Sequence, residues 1–174
     1  MLQNYNKYKL LKVFLYSPTE SFRLRELSRL SGISPVSVMN YLKEYEEEGI
    51  IMRYRKRGVP FYQAIRDNEQ FKLYKRISIL YELNLSGLVD YLWEKFSPEA
   101  IILYGSYAKG ESVEDSDIDI YMLCKEKAVN IKEFEEMIGK PIHLMFGASV
   151  KKIPTELMNN LINGIVLKGY LKVL

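Results

Sequence analysis

With 174 residues and 48% apolar composition, the chain is long enough for one ordinary domain or two small ones with packed cores. Its net charge is only +3, yet the residues up to Arg76 hold 15 of the 25 Lys and Arg but 8 of the 22 Asp and Glu. A basic first part suits polyanions, and an acidic remainder with clustered carboxylates suits bound cations. One cysteine, Cys124, excludes an intramolecular disulfide and a zinc cluster, and its apolar surroundings predict a buried thiol in a reducing cytoplasm. No apolar run reaches the length of a membrane span, and Gln3, Asn4 and Asn6 before Lys7 leave no room for a signal-peptide core.

Apolar residues at helical spacing from Tyr5 to Tyr16 predict a first helix that stops at Ser17-Pro18, because proline disfavours helix in the residue before it. A short extended piece at 21–23 leads into a second helix from Leu24 to Leu30, ended by Gly32. Ser34 is placed to cap a third helix, with Pro35 in its first position, running through Val38, Leu42 and Tyr45 to Gly49. Extended runs at 50–55 and 60–65 bracket Lys56-Arg57-Gly58 and predict a hairpin with a basic tip. Helix, helix-turn-helix and hairpin in this order resemble winged-helix DNA-binding domains. That resemblance places Ser34, Ser37, Asn40 and Lys43 on the groove-facing side of helix three, and Arg53, Arg55, Lys56 and Arg57 on the wing as salt-sensitive phosphate contacts. The acidic run Glu44, Glu46, Glu47 and Glu48 keeps a protein-binding use of the same fold open.

Residues 68–83 and 85–96 predict two helices broken near Asn84, the second presenting Leu85, Leu88, Leu92 and Phe96. From Glu99 the pattern changes to a strand at 100–104, a Gly/Ser turn, an alternating run from Asp117 to Leu123, a helix at 130–138, a strand at 141–146, a helix from Pro154 to about Asn163 and a closing strand. The turn matters most. Gly105-Ser106, delivered by a strand into a helix start, turns backbone N–H groups and a hydroxyl toward one point, as a triphosphate needs, and Lys109 stands nearby. Ten residues separate Ser106 from Asp117, and Asp117 and Asp119 at i and i+2 put two carboxylates on one face while Ile118 and Ile120 point inward. Such a pair holds a hard divalent cation, with magnesium expected.

Gly-Ser, ten residues, then Asp-x-Asp resembles the polymerase-beta-type nucleotidyltransferase superfamily, in particular its minimal branch. The two resemblances together imply an α+β chain with a winged helix-turn-helix at 1–66, a helical connector at 67–97 and a nucleotidyltransferase-type α/β domain with a small mixed sheet at 98–174. The nucleotidyltransferase resemblance implies a nucleoside triphosphate, ATP foremost, on Gly105 and Ser106, and metal on Asp117 and Asp119. Such enzymes carry a third carboxylate on a neighbouring strand, and in Pro141-Ile142-His143-Leu144-Met145-Phe146 that place falls to His143, the chain's one histidine. A neutral imidazole is a poor magnesium ligand. Two functional readings follow. In one, Asp117, Asp119 and His143 are catalytic, with His143 as general base, and AMP passes to a macromolecular hydroxyl; members of the minimal branch resemble antitoxins that modify a helical HEPN-type partner. In the other, the fold survives as a nucleotide-sensing transcriptional regulator. Winged helices often pair, so a homodimer is a further expectation.

Overall fold

The computed structural model describes residues 5–172, so Gln3 and Asn4 lie outside the described residues. The chain folds as two compact units, Met1–Lys75 and Arg76–Leu174. In the first, helix α1 (Asn6–Tyr16) buries Leu10, Leu11, Phe14 and Leu15 and ends where Ser17 donates its N–H to Val13 O. Strand β1 (Ser21–Phe22) precedes α2 (Leu24–Ser31), whose start is held by the Arg23 N–H donating to the Glu26 carboxylate at 3.3 Å. Helix α3 (Pro35–Glu47) begins with the Ser34 hydroxyl accepting the Ser37 N–H, satisfying one of the free donors of a helix start.

Strands β2 (Ile51–Lys56) and β3 (Val59–Ala64) pair antiparallel from Ile51↔Ala64 to Lys56↔Val59, and β1 adds to the other edge of β3 through Phe22↔Tyr62. The two-residue turn between them puts both Arg57 and Gly58 at positive φ, the geometry that matches strand twist in a tight hairpin. Leu10, Phe14, Leu27, Val38, Leu42, Tyr45 and Ile50 form the fully buried centre of this unit.

The Tyr45 hydroxyl donates to Lys7 O, and burial, together with Glu48 and Glu44, holds its phenol far above the usual tyrosine range. An unfolded tyrosine ionises near its ordinary value of 10.0 while the folded one stays neutral. The stabilisation is therefore complete below about pH 10 and erodes as pH rises above it. Tyr45→Phe is expected to flatten the alkaline fall in melting temperature; an identical alkaline slope in the two proteins would remove Tyr45 as its source.

Helix α4 (Glu69–Leu85) contributes Phe71 to the first core and Ile79 and Leu83 to the second. The helices break near Asn84 as expected, two residues later: the Asn84 side chain donates back to Leu80 O inside α4, and the chain turns at Ser86 and Gly87 before α5 (Leu88–Phe96). Leu85 is accordingly the exposed last residue of α4, and the buried stripe of α5 is Leu88, Val89, Leu92 and Phe96.

The second unit continues with β4 (Ala100–Tyr104), α6 (Gly105–Lys109), β5 (Ile118–Met122), α7 (Lys132–Ile138), β6 (Ile142–Phe146), a 3-10 turn at Val150–Lys152, α8 (Thr155–Ile162) and β7 (Ile165–Gly169). The four strands make a small mixed sheet in the order β6-β5-β4-β7, with β5 and β6 parallel and the other pairs antiparallel. Both faces are covered, so β4 is buried along its whole length. Ile101, Leu103, Ile118, Ile120 and Met122 pack with α5, while Ala100, Ile102, Tyr104 and Tyr121 pack with Leu161 of α8 on the other face. Cys124 is half-buried at the edge of this core rather than enclosed. Among the described residues, no helix is long and apolar enough to cross a membrane.

Candidate functional site

Gly105 follows β4 directly and opens α6 at φ 73, a left-handed conformation that side chains resist. A Cβ here would overlap an Asp119 carboxylate oxygen, so the glycine serves both the turn and the close approach of the neighbouring strand. Ser106 is half-buried behind it, and Lys109 lies exposed in the last turn of α6. The short helix closes at Gly110, whose N–H reaches Ser106 O, while the Glu111 N–H donates to the same carbonyl at 2.8 Å.

The loop into β5 is built to present Asp117. The Ser116 hydroxyl accepts the Val113 N–H at 2.8 Å, the Ser116 N–H returns to Val113 O, and the Lys140 ammonium donates to Glu114 O. Asp117 stands exposed one residue before β5 begins, not within the strand, and Asp119 lies in β5, half-buried. Register sets Asp119 opposite Tyr104 on one side and His143 on the other. His143 Nδ1 lies 3.3 Å from Asp119 Oδ1, with the imidazole largely open to solvent. Asp119 thus meets both Gly105 and His143.

Two tyrosines frame this corner that composition alone assigns to core packing. Burial, and then the nearby Asp119 charge, pushes the Tyr104 phenol up. Tyr107, half-buried, is pushed up to about 12 by burial, against the lowering effect of its hydrogen bond with Ser112 and with Asp117 adding to the rise. Both hydroxyls therefore stay neutral across the physiological range. The signal available in the sequence was their position, one residue before and one after Gly105-Ser106.

The donor set bears on a cation. Among the described residues, no three His, Cys, Asp or Glu side chains converge as a metal cage. Asp119 beside the glycine turn, with Asp117 two residues before it, offers hard oxygen donors of the kind a single divalent ion takes along with phosphate oxygens and water. They do not fit two such ions, because the third side chain at the corner is an imidazole.

In the first unit, Ser34, Asn40 and Lys43 are exposed, whereas Ser37 is half-buried and shares a hydrogen bond with the Ser34 hydroxyl at 3.0 Å. The apolar Val36 and Met39 are also exposed on α3. Arg53, Arg55, Lys56 and Arg57 are all exposed on the hairpin.

Comparison with known proteins bears on the second unit. The family model described as polymerase beta, nucleotidyltransferase, matches residues 87–169. The protein adenylyltransferase MntA of Thermococcus cleftensis is 35% identical over 66 residues, covering 34% of this chain and 67% of that protein. No solved structure matches the chain. The match spans the glycine turn, both aspartates and the strand that carries His143, so the unit that builds this corner places the chain in the polymerase beta nucleotidyltransferase family.

Proposed function

We propose that this chain transfers AMP from ATP to a hydroxyl of another macromolecule. The observation that carries the reading is the close approach of Asp119 to Gly105, which joins the glycine turn after β4 to a carboxylate on the adjacent strand. Nucleotidyltransferases of this family usually use a divalent metal, and the relative named as a protein adenylyltransferase supports both the nucleotide and a protein acceptor. Gly105, Ser106 and Lys109 hold the triphosphate, and Asp117 and Asp119 hold magnesium. The bound ion supplies neutralisation of phosphate charge. The acceptor oxygen attacks the α-phosphorus, a new P–O bond forms, the bond to the bridging oxygen breaks and pyrophosphate leaves. His143 takes the proton of the acceptor hydroxyl.

Residues 1–66 form a winged helix in this reading, joined through a helical connector at 67–97 to the transferase domain at 98–174. Ser34, Ser37, Asn40 and Lys43 of α3 face duplex DNA, and Arg53, Arg55, Lys56 and Arg57 meet its phosphates. A HEPN-type helical partner is the proposed acceptor, with DNA binding serving autoregulation as in an antitoxin, and a homodimer fits a two-fold operator. With α-labelled ATP, magnesium and cell extract, the wild type is expected to label a partner, and Asp117→Asn to lower labelling at least about 100-fold. Undiminished labelling by that variant removes Asp117 from the mechanism.

His143 beside Asp119 favours a second reading, a nucleotide-sensing regulator without turnover. It predicts magnesium-dependent ATP binding without transfer by the wild type, ATP-dependent DNA affinity, and transfer that appears in His143→Asp. Transfer by the wild type excludes it.

A further inference from the structure

An antiparallel sheet with one face to solvent ordinarily alternates apolar inward with polar outward. The β1-β3-β2 sheet obeys this on its inner face, where Phe22, Ile51, Tyr62 and Ala64 are buried. Its outer face does not. Register sets Met52, Tyr54 and Lys56 opposite Gln63, Phe61 and Val59, and of these Met52 is 44%, Tyr54 37% and Val59 38% exposed.

The aromatic part of this face is ordered. The Tyr54 and Phe61 rings stack with centroids 5.9 Å apart and planes 20° from parallel. Bonding of the Tyr54 hydroxyl to Ser21 Oγ at 2.8 Å fixes the ring across the sheet. The Arg23 guanidinium lies 5.1 Å from the Phe61 centroid, completing a row of three planar groups. Among the described residues, the charged side chains that register and ring contact place on this face are Arg23 and Lys56, with the Glu26 carboxylate held against the Arg23 N–H at its edge.

A pre-set ring flanked by two cations matches a ligand made of flat rings on an anionic backbone. Duplex DNA keeps its base faces stacked on each other, and an apolar protein partner gains nothing from the cations. We propose that the outer face of the β1-β3-β2 sheet binds single-stranded nucleic acid, with a base stacking on Tyr54, which Phe61 backs, and phosphates lying against Arg23 and Lys56. The two sites share Lys56, but Arg53 and Arg55 alternate to the other face, where Arg53 lies over Tyr62, so Tyr54 belongs to the single-strand face and not to the duplex reading.

The test is fluorescence anisotropy of the full chain with labelled single-stranded DNA and RNA oligomers, and a duplex of equal length, across a salt series. Wild type and Tyr54→Phe are expected to bind a single strand alike. Tyr54→Ala and Tyr54→Leu are expected to weaken it about tenfold or more while leaving duplex binding within about twofold. The leucine variant keeps an apolar contact but removes the ring, and circular dichroism confirms its fold. Single-strand binding by Tyr54→Leu equal to wild type overturns the proposal, as does absence of single-strand binding in the wild type. Sedimentation that shows Tyr54→Ala converting a dimer to a monomer, with no effect on oligomer binding, assigns the face to a second copy and overturns it too.

Discussion

Gly105→Ala is expected to reduce nucleotide transfer by about 1000-fold and to lower the melting temperature of the second unit by roughly 10–20 °C. Two costs combine. A side chain at φ 73 carries about 1–2 kcal/mol of backbone strain, and its Cβ would collide with the Asp119 carboxylate. Relief can come only by moving the carboxylate proposed to hold metal or by moving β4, which is buried throughout. Misplacement of a reacting group by about 1 Å costs on the order of 100-fold, and loss of the phosphate cradle adds to it. A double variant separates the causes. Gly105→Ala with Asp119→Ala is expected to recover most of the lost stability and none of the activity. Stability that does not recover would place the cost in the backbone turn alone.

The second large effect lies in the other core. Phe14 is fully buried and meets Phe22 edge-on, with centroids 5.6 Å apart. Phe14→Ala should cost about 3–5 kcal/mol, much of the stability of a unit this small. The single tryptophan, Trp93, belongs to α5 in the second unit and reports on that unit alone. Far-ultraviolet circular dichroism is expected to show an early transition in Phe14→Ala while Trp93 fluorescence melts as in wild type and ATP binding persists. Trp93 melting together with the early transition would show that the two cores unfold as one, through the helix α4 that feeds both.

What the sequence made legible was what is local in the chain. Ser34-Pro35, Gly32 and Ser17-Pro18 set helix ends because caps and stops act over three or four residues. The Gly-Ser turn and Asp-x-Asp were readable for the same reason. Leu85 went to the wrong helix because its spacing to Leu88 and Leu92 fits a stripe, and only the Asn84 side chain bond to Leu80 O and the turn at Gly87 decide otherwise. Asp117 was placed inside a strand that begins one residue later, since alternation does not mark where pairing starts. The contacts of Asp119 with Gly105 and His143 depend on which strands are neighbours, which spacing does not encode. The apolar outer face of the hairpin was hidden for a similar reason: Tyr54 and Phe61 look like core residues until the register shows them facing away from it.

The order of the mixed sheet also bears on how the protein is made. Strand β4, entirely apolar and buried, has β5 on one side and β7 on the other, and β7 is the last strand of the sheet to be synthesised. At translation speeds of about 5–20 residues per second, one edge of β4 waits on the order of 3–12 s for residues 165–169. During that interval an aggregation-prone segment, and the glycine turn attached to it, stand open on the nascent chain. Pairing with β7 covers that edge of β4 once residues 165–169 have been made.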